Sequence, residues 1–153
     1  MITNGIEQAH DEIIALFRTA WLAGVESATV PLTYEDVKGD QPEGPRTGEA
    51  ASNAPWARVT VRTTQSRQAS LANHAGQSNW ETLGIITINI FTPAGDGLRL
   101  AHKLAKTAQE AFRGVTTSPG GIWFRNPRIE PVGQDGPWYM TNVLAEFTYD
   151  EVA

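Results

Sequence analysis

The chain has 153 residues, of which 41% are hydrophobic and 8% aromatic, so it can bury one core and is too short for two ordinary domains. Its 17 acidic and 12 basic side chains give a net charge of −5, which disfavours general binding to nucleic acid or anionic membranes. The absence of cysteine excludes disulfides and thiolate chemistry. With no apolar run near the ~18 residues of a membrane span and no export pattern, we expect one soluble domain, residues 1–153.

The first predicted element is an amphipathic helix over about residues 6–23. Asn4 and Glu7 have the spacing of a capping box, and apolar residues then recur at helical intervals. Residues 28–32 follow as a predicted short strand, and their proline suits the edge of a sheet.

Residues 34–55 change the composition of the chain. They are rich in glycine, proline and charge and nearly free of large apolar side chains. Such a segment cannot bury enough surface to offset the entropy of ordering itself. We interpret it as a flexible arm, mobile in the free subunit and ordered against a partner.

The next two predicted strands, residues 56–63 and 80–91, form a hairpin with a polar, projecting tip over residues 64–80. Both strands alternate apolar and polar side chains. In the second strand, Ile86, Ile88 and Ile90 fall on one face, and Ile85, Thr87, Asn89 and Phe91 fall on the other.

The hairpin also supplies the candidate interface, because projecting tips commonly contact partners. Trp56 and Trp80 lie at its root, either as rings covering the rim of the core or as interface anchors, whereas Trp21 is predicted to lie in the core. The candidate residues for contact with a subunit or a tube are Trp56, Arg58, Arg62, Arg67, His74 and Trp80.

The second predicted helix follows the turn Gly95-Asp96-Gly97 and ends near Gly114. The turn invites a phosphate-binding interpretation, but Asp96 already places a carboxylate at the helix start, where we expect it to cap the helix. The other residues of a dinucleotide or P-loop fingerprint are missing. The turn is therefore interpreted as a joint between a strand and a helix.

Two last strands, residues 122–129 and 138–149, complete a single α+β domain with two helices packed on a mostly antiparallel sheet. His10, His74 and His102 lack the spacing of paired metal ligands, and no nucleophile elbow is present. The sequence predicts no catalytic residue, no metal and no cofactor, and hence no enzyme.

Four stretches of the chain resemble the tail terminator-like proteins of long-tailed bacteriophages and related tail-like particles. They are the strand and turn at 90–97, the alanine-rich helix at 100–105, and the late segments 136–139 and 147–149. The resemblance implies a hexameric ring that caps the head-proximal end of the tail tube and stops its growth. It implies contacts with the tail tube protein and with a neck or head completion protein. From the acidic charge balance we expect DNA to pass through the lumen of such a ring without specific binding, and we expect no contact with membranes. The resemblance also implies assembly in the host bacterial cytoplasm and a final place at the tail–neck junction of the virion.

Two alternatives stay open. The chain could instead be another neck or head–tail joining protein. It could also be a small nucleotide-binding enzyme that uses the turn at residues 95–97.

Overall fold

The computed structural model describes residues 1–34, 54–70, 76–95 and 97–152, and it confirms the predicted α+β class. Two helices and a short 3-10 helix accompany five strands. In chain order these are α1 (Gly5–Ala23), the 3-10 helix (Ser27–Thr29), β1 (Leu32–Tyr34), β2 (Trp56–Gln68), β3 (Asn79–Pro93), α2 (Arg99–Glu110), β4 (Trp123–Asp135) and β5 (Trp138–Val152). Among the described residues, no helix has both the length and the hydropathy needed to cross a membrane.

The five strands form one sheet in the order β1-β2-β3-β5-β4. All neighbours are antiparallel except β1, which pairs in parallel with Ala57–Val59 of β2. Strands β2 and β3 form one hairpin, and strands β4 and β5 form the other. The two hairpins are joined at the centre of the sheet by the pairing of β3 with β5.

Alternation along the strands gives the sheet two different faces. The covered face, on which both helices pack, contains the buried apolar row Val59, Ile88 and Val143, which the strand register aligns. α1 buries Phe17 and Trp21 against this face, and α2 buries a row of small residues and Leu104. Because alanine is small, α2 can lie close to the strands.

Trp21 is fully buried, as predicted, and its indole N–H donates a 3.0 Å hydrogen bond to the carbonyl of Val30. Phe17 stacks on Phe112 with ring centroids 5.7 Å apart. The first contact links α1 to the segment that follows it, and the second links α1 to the residue that follows α2.

The predicted capping box of α1 is wrong. Asn4 occupies the N-cap position, but its side chain makes no cap hydrogen bond. Instead the side-chain carbonyl of Gln8 accepts the backbone N–H groups of Thr3 and Asn4, at 2.8 and 3.0 Å. A glutamine one turn into the helix thus accepts the N–H of Asn4, which the Glu7 side chain would accept in a capping box.

The strand predicted over residues 28–32 is also wrong in position. Residues Ser27–Thr29 form the 3-10 helix, and β1 begins only at Leu32. The cause is local, since the hydroxyl of Ser27 donates to the carbonyl of Trp21 at 2.6 Å and closes a turn directly after α1. β1 is nonetheless an edge strand, as expected.

The β2–β3 hairpin is confirmed, with longer strands than predicted. β2 continues to Gln68, which pairs with Trp80, and β3 begins at Asn79 opposite Val152 of β5. Because β5 supports β3 over this whole length, the base of the predicted tip, residues 64–68 and 79–80, belongs to the sheet. The predicted arm falls almost entirely on residues 35–53, which lie outside the described residues.

The joint before α2 differs in detail from the prediction. Gly95 and Gly97 have φ values of +93° and +81°, a region that glycine enters without strain. The helix begins at Arg99 with Leu98 at its N-cap, so the cap predicted at Asp96 lies two residues too early, and Asp96 itself is outside the described residues.

Candidate interface on the open face of the sheet

The second face of the sheet is the candidate functional surface. No helix of the described chain packs on it, so we call it the open face. Its members are the residues that alternate with the covered row on the four long strands. On β2 and β3 they include Trp56, Arg58, Thr60, Arg62, Ile85, Thr87, Asn89 and Phe91, and on β5 they include Trp138, Met140, Asn142, Leu144 and Glu146.

One end of the open face carries an aromatic cluster. Trp56 stacks on Phe91 with ring centroids 4.2 Å apart, and Trp138 meets Trp56 edge-on at 6.4 Å. Met140 packs against this group. The indole N–H of Trp56 is buried and has no hydrogen-bond partner among the described residues. The cluster is thus a small second core that needs no helix to cover it.

A polar ladder crosses three strands next to this cluster. The amide of Asn89 donates to the side-chain oxygen of Asn142 at 2.7 Å, and Arg58 donates to the oxygen of Asn89 at 3.4 Å. The Arg58 guanidinium also lies 5.8 Å from the centre of the Phe91 ring. These contacts hold a charged group in a fixed position on the face.

A shallow apolar depression of about 320 Å³ lies beyond the ladder. Ile85, Thr87 and Leu144 line it, and all three are only half-buried. Ile85 and Leu144 contribute little hydrophobic stabilisation to the monomer, because part of their apolar surface stays exposed to water. A partner that covered this surface would remove it from water and so stabilise the complex.

Two ion pairs lie on β4 and β5, the strands on one side of the depression. Arg125 lies 3.8 Å from Glu146, and Arg128 lies 3.1 Å from Glu130. All of these side chains are at least one-third exposed, so each pair is worth at most about 1 kcal/mol to the fold. Their physical effect is to fix the charge pattern that a partner meets.

The strand register gathers most of the predicted interface residues on the open face. Trp56, Arg58, Arg62 and Arg67 lie along β2 in this row, and Arg67 pairs with Glu81 at 2.9 Å. Trp80 belongs to the opposite row and is half-buried, so it does not share this surface. His74 lies outside the described residues.

Sequence reasoning missed the contribution of β5, namely Trp138, Met140 and Asn142. The alternation of β5 was visible in the sequence, but the pairing of Met140 with Phe91 and of Asn142 with Asn89 depends on which strand neighbours β3. A search for aromatic and amide residues at matching positions on different strands could have suggested it.

The chemistry elsewhere is sparse. Within the described residues, no group of three or more histidine, cysteine, aspartate or glutamate side chains could hold a metal ion. His10 is on α1 and His102 on α2, and the two helices place them apart from the open face.

Comparison with solved structures shows where this fold occurs. A chain known only by a sequence identifier has a TM-score of 0.62 at 18% identity, covering 95% of this chain and 96% of that one. A chain from the virion of a native gene transfer agent particle has a TM-score of 0.50 at 15% identity, covering 92% and 96%. At these identities the likeness shows the fold alone. No curated protein matches the chain.

The described chain is an α+β subunit with one sheet face that no helix covers. The family model of phage tail terminator proteins matches residues 12–147, which is most of the chain. The chain therefore belongs to the phage tail terminator family and is a structural protein of a virion.

Proposed function

We propose that this chain assembles into a hexameric ring that caps the head-proximal end of a phage tail tube. The ring stops tube polymerisation and offers a docking surface to the neck or head completion protein. The single observation that supports this proposal best is the family match over residues 12–147. The ring forms inside the host bacterium and ends at the tail–neck junction.

The open face supports the assembly part of the proposal. It combines a rigid aromatic cluster, a fixed arginine and two half-covered aliphatic side chains, a combination typical of the centre of an interface. We propose Trp56, Arg58, Arg62 and Arg67 as its contact row. An interface of this kind gives the subunit a role in assembly rather than catalysis.

The charge of the chain fits a channel for DNA. Each subunit carries a net charge of −5, so a ring of six repels the phosphate backbone overall. DNA then passes through the lumen without specific binding, provided that few arginines or lysines line it. The turn at residues 95–97 needs no nucleotide to explain it, because its two described glycines adopt positive φ values at a strand-to-helix joint.

Assembly with a tail tube tests the function directly. Purified subunit is mixed with its polymerising tube protein, and tube lengths and tube ends are measured by negative-stain electron microscopy, with mass photometry of the subunit alone. Shorter tubes with a capped end and a six-subunit particle are expected. Unchanged tube lengths with no density at the tube ends would contradict the proposal.

A further inference from the structure

The outer face of α2, which points away from the sheet, is strongly basic. Arg99, His102 and Lys106 are exposed and lie within about 60° of one another around the helix axis, since an α-helix turns by about 100° per residue. Arg113, also exposed, follows shortly after the helix. From Arg99 to Arg113 the sequence has four basic side chains and one acidic one, a net charge of +3 in a chain of net charge −5.

Acidic groups of the same subunit neutralise only part of this charge. Lys103 pairs with Glu26 at 2.7 Å, and Lys106 lies 3.9 Å from a carboxylate one turn later on the same helix. The side chains of Arg99 and Arg113 have no ion-pair partner among the described residues. Two arginines on this face therefore remain for a partner with negative charge.

The acidic complement lies at the start of α1. Glu7 and Asp11 are exposed and one helical turn apart, so their carboxylates lie on the same side of the helix. The end of β5 lies beside this turn, because the N–H of Ile2 donates to the carbonyl of Asp150 at 2.9 Å. Asp150 and Glu151 add two further carboxylates there, and in the described part of the chain none of the four has an ion-pair partner.

The basic and acidic surfaces lie on opposite flanks of one subunit. Asp11 lines a groove that α1 shares with Val59 of β2. α2 lies on the other side, where the amide of Gln109 donates to the carbonyl of Pro127 of β4 at 3.0 Å. β2 and β4 are separated in the sheet by the central strands β3 and β5. One subunit therefore cannot join its own two surfaces, whereas two neighbouring copies can.

Each surface also exposes a large apolar side chain. Leu98, directly before Arg99, is 42% exposed, and Ile6, directly before Glu7, is 62% exposed. Contact between the surfaces would remove part of this apolar area from water, which stabilises a complex more than exposed ion pairs alone do. Charge attraction then selects the partner surface.

We infer that the outer face of α2 on one subunit docks against the acidic start of α1 on a second copy of the chain. The inference rests on the proposed ring, because a contact between two different surfaces of the same chain is head-to-tail and closes into a ring when the rotation permits. It adds to the contacts of the open face. It also fits the passage of DNA, since the neighbouring subunit covers a basic surface that would otherwise attract phosphate.

Charge reversal in the full-length protein tests this contact. One variant reverses the basic surface with Arg99→Glu and Arg113→Glu, and a second reverses the acidic surface with Glu7→Lys and Asp11→Lys. All four side chains are exposed, so both variants should fold, which far-UV circular dichroism checks. In either variant alone every contact brings like charges together. The concentration at which half of the subunits are in rings, measured by mass photometry, should therefore rise by about tenfold or more.

A mixture of the two variants is the decisive sample. When they alternate around a ring of six, every contact again brings opposite charges together. A chain that carries all four substitutions restores opposite charges in the same way. Both samples should assemble at close to the concentration that the unsubstituted chain needs. Asp135→Lys, at the exposed end of β4, is the charge control and should leave assembly unchanged.

Two results would overturn the inference. One is normal ring formation by either reversed variant alone, which would include the case in which the α2 face meets nucleic acid or another protein instead. The other is failure of both the mixture and the fourfold variant to recover assembly, which would show that the two surfaces do not face each other.

Tube capping by the unsubstituted chain separates this contact from the proposed function. Capped tubes together with rings that tolerate both reversals would reject the contact and leave the ring function standing. Absence of both rings and capping in the unsubstituted chain would reject the proposed function, and this contact with it.

Discussion

The covered and open faces of the sheet are built from the same four strands, yet their side chains serve different purposes. On β3, Ile86 and Ile88 of the covered row are completely buried beneath the helices. Ile85, which lies directly before Ile86 in sequence, is only half-buried on the open face. The middle of the covered row is aliphatic, with the rings of Phe147 and Tyr149 further along β5, whereas the open row mixes aromatics, amides, threonines and arginines.

This difference separates folding from assembly. Burial of the covered face stabilises the single subunit, because both helices already occupy it. Apart from its aromatic cluster, the open face contributes little to the subunit but presents shape and charge in a fixed arrangement, which is what recognition needs. Substitutions on the two faces should therefore have opposite profiles: loss of fold on one, and loss of assembly on the other.

The largest effect is expected from a matched pair on β3. Ile86→Ala leaves a cavity in the core and should lower the free energy of unfolding by about 2–5 kcal/mol. Ile85→Ala removes the same atoms from a half-covered position and should cost the monomer roughly 1 kcal/mol. Urea unfolding followed by tryptophan fluorescence measures both values. Equal losses would mean that the open face is as much a folding core as the covered one.

Gly84 shows how tightly the covered face is packed. A β-carbon at this position would meet the ring of Phe147 on β5 and the backbone carbonyl of Arg62 on β2. Gly84→Ala should therefore destabilise the subunit by about 1–3 kcal/mol through overpacking. Adding Phe147→Leu should recover part of that loss if the ring is the main obstacle. Thermal unfolding of the single and double variants decides this, and a neutral Gly84→Ala would show that the strands separate easily.

The sequence was sufficient to predict which residues share a face but not which face the helices cover. Alternation placed Ile86 and Ile88 together, opposite Ile85, because side-chain direction in a strand depends only on local geometry. The position of Trp56 stayed ambiguous for the same reason. Its burial against Phe91 and Trp138 depends on the order of strands in the sheet, which is a non-local property.

Local hydrogen bonding explains the boundary errors. Asn4 and Glu7 had the spacing of a capping box, yet Gln8 was equally able to reach the free N–H groups, and side-chain competition of this kind cannot be judged from spacing. Ser27 likewise closed a turn where a strand was predicted. The site was predicted from the hairpin alone, so β2 was found and β5 was missed.

Glu12 on α1 links the helix that covers the sheet to the turn before β4. Its carboxylate accepts hydrogen bonds from the N–H of Gly120 at 2.9 Å and from the amide of Gln8 at 2.6 Å. Burial alone would raise the pKa of Glu12, but hydrogen bonds from Thr117, Gln8 and Gly120 outweigh it and lower the pKa below its ordinary value.

A lowered pKa in the folded state means that ionised Glu12 stabilises the fold above the unfolded pKa. This contribution is lost as the pH falls through about 4 and below. Glu12→Gln should therefore flatten the decline of stability between about pH 5 and pH 3 while lowering stability near pH 7. Urea midpoints measured across this range give the result, and parallel curves for the two proteins would rule out the role.

The smallest effect on the fold is expected from the polar ladder, where the open face should differ most from the covered one. Asn89→Ala removes the 2.7 Å hydrogen bond to Asn142 and should cost the subunit about 1 kcal/mol, because the remaining amide is only partly buried. The double variant with Asn142→Ala should cost less than the sum of the two single variants, since both lose the same hydrogen bond. Arg58 also loses its acceptor and is no longer held over Phe91. Ring formation, measured by mass photometry, should therefore weaken far more than urea stability does. If the variants assemble as well as the unsubstituted chain, the ladder is a structural feature of the sheet and the open face meets its partners elsewhere.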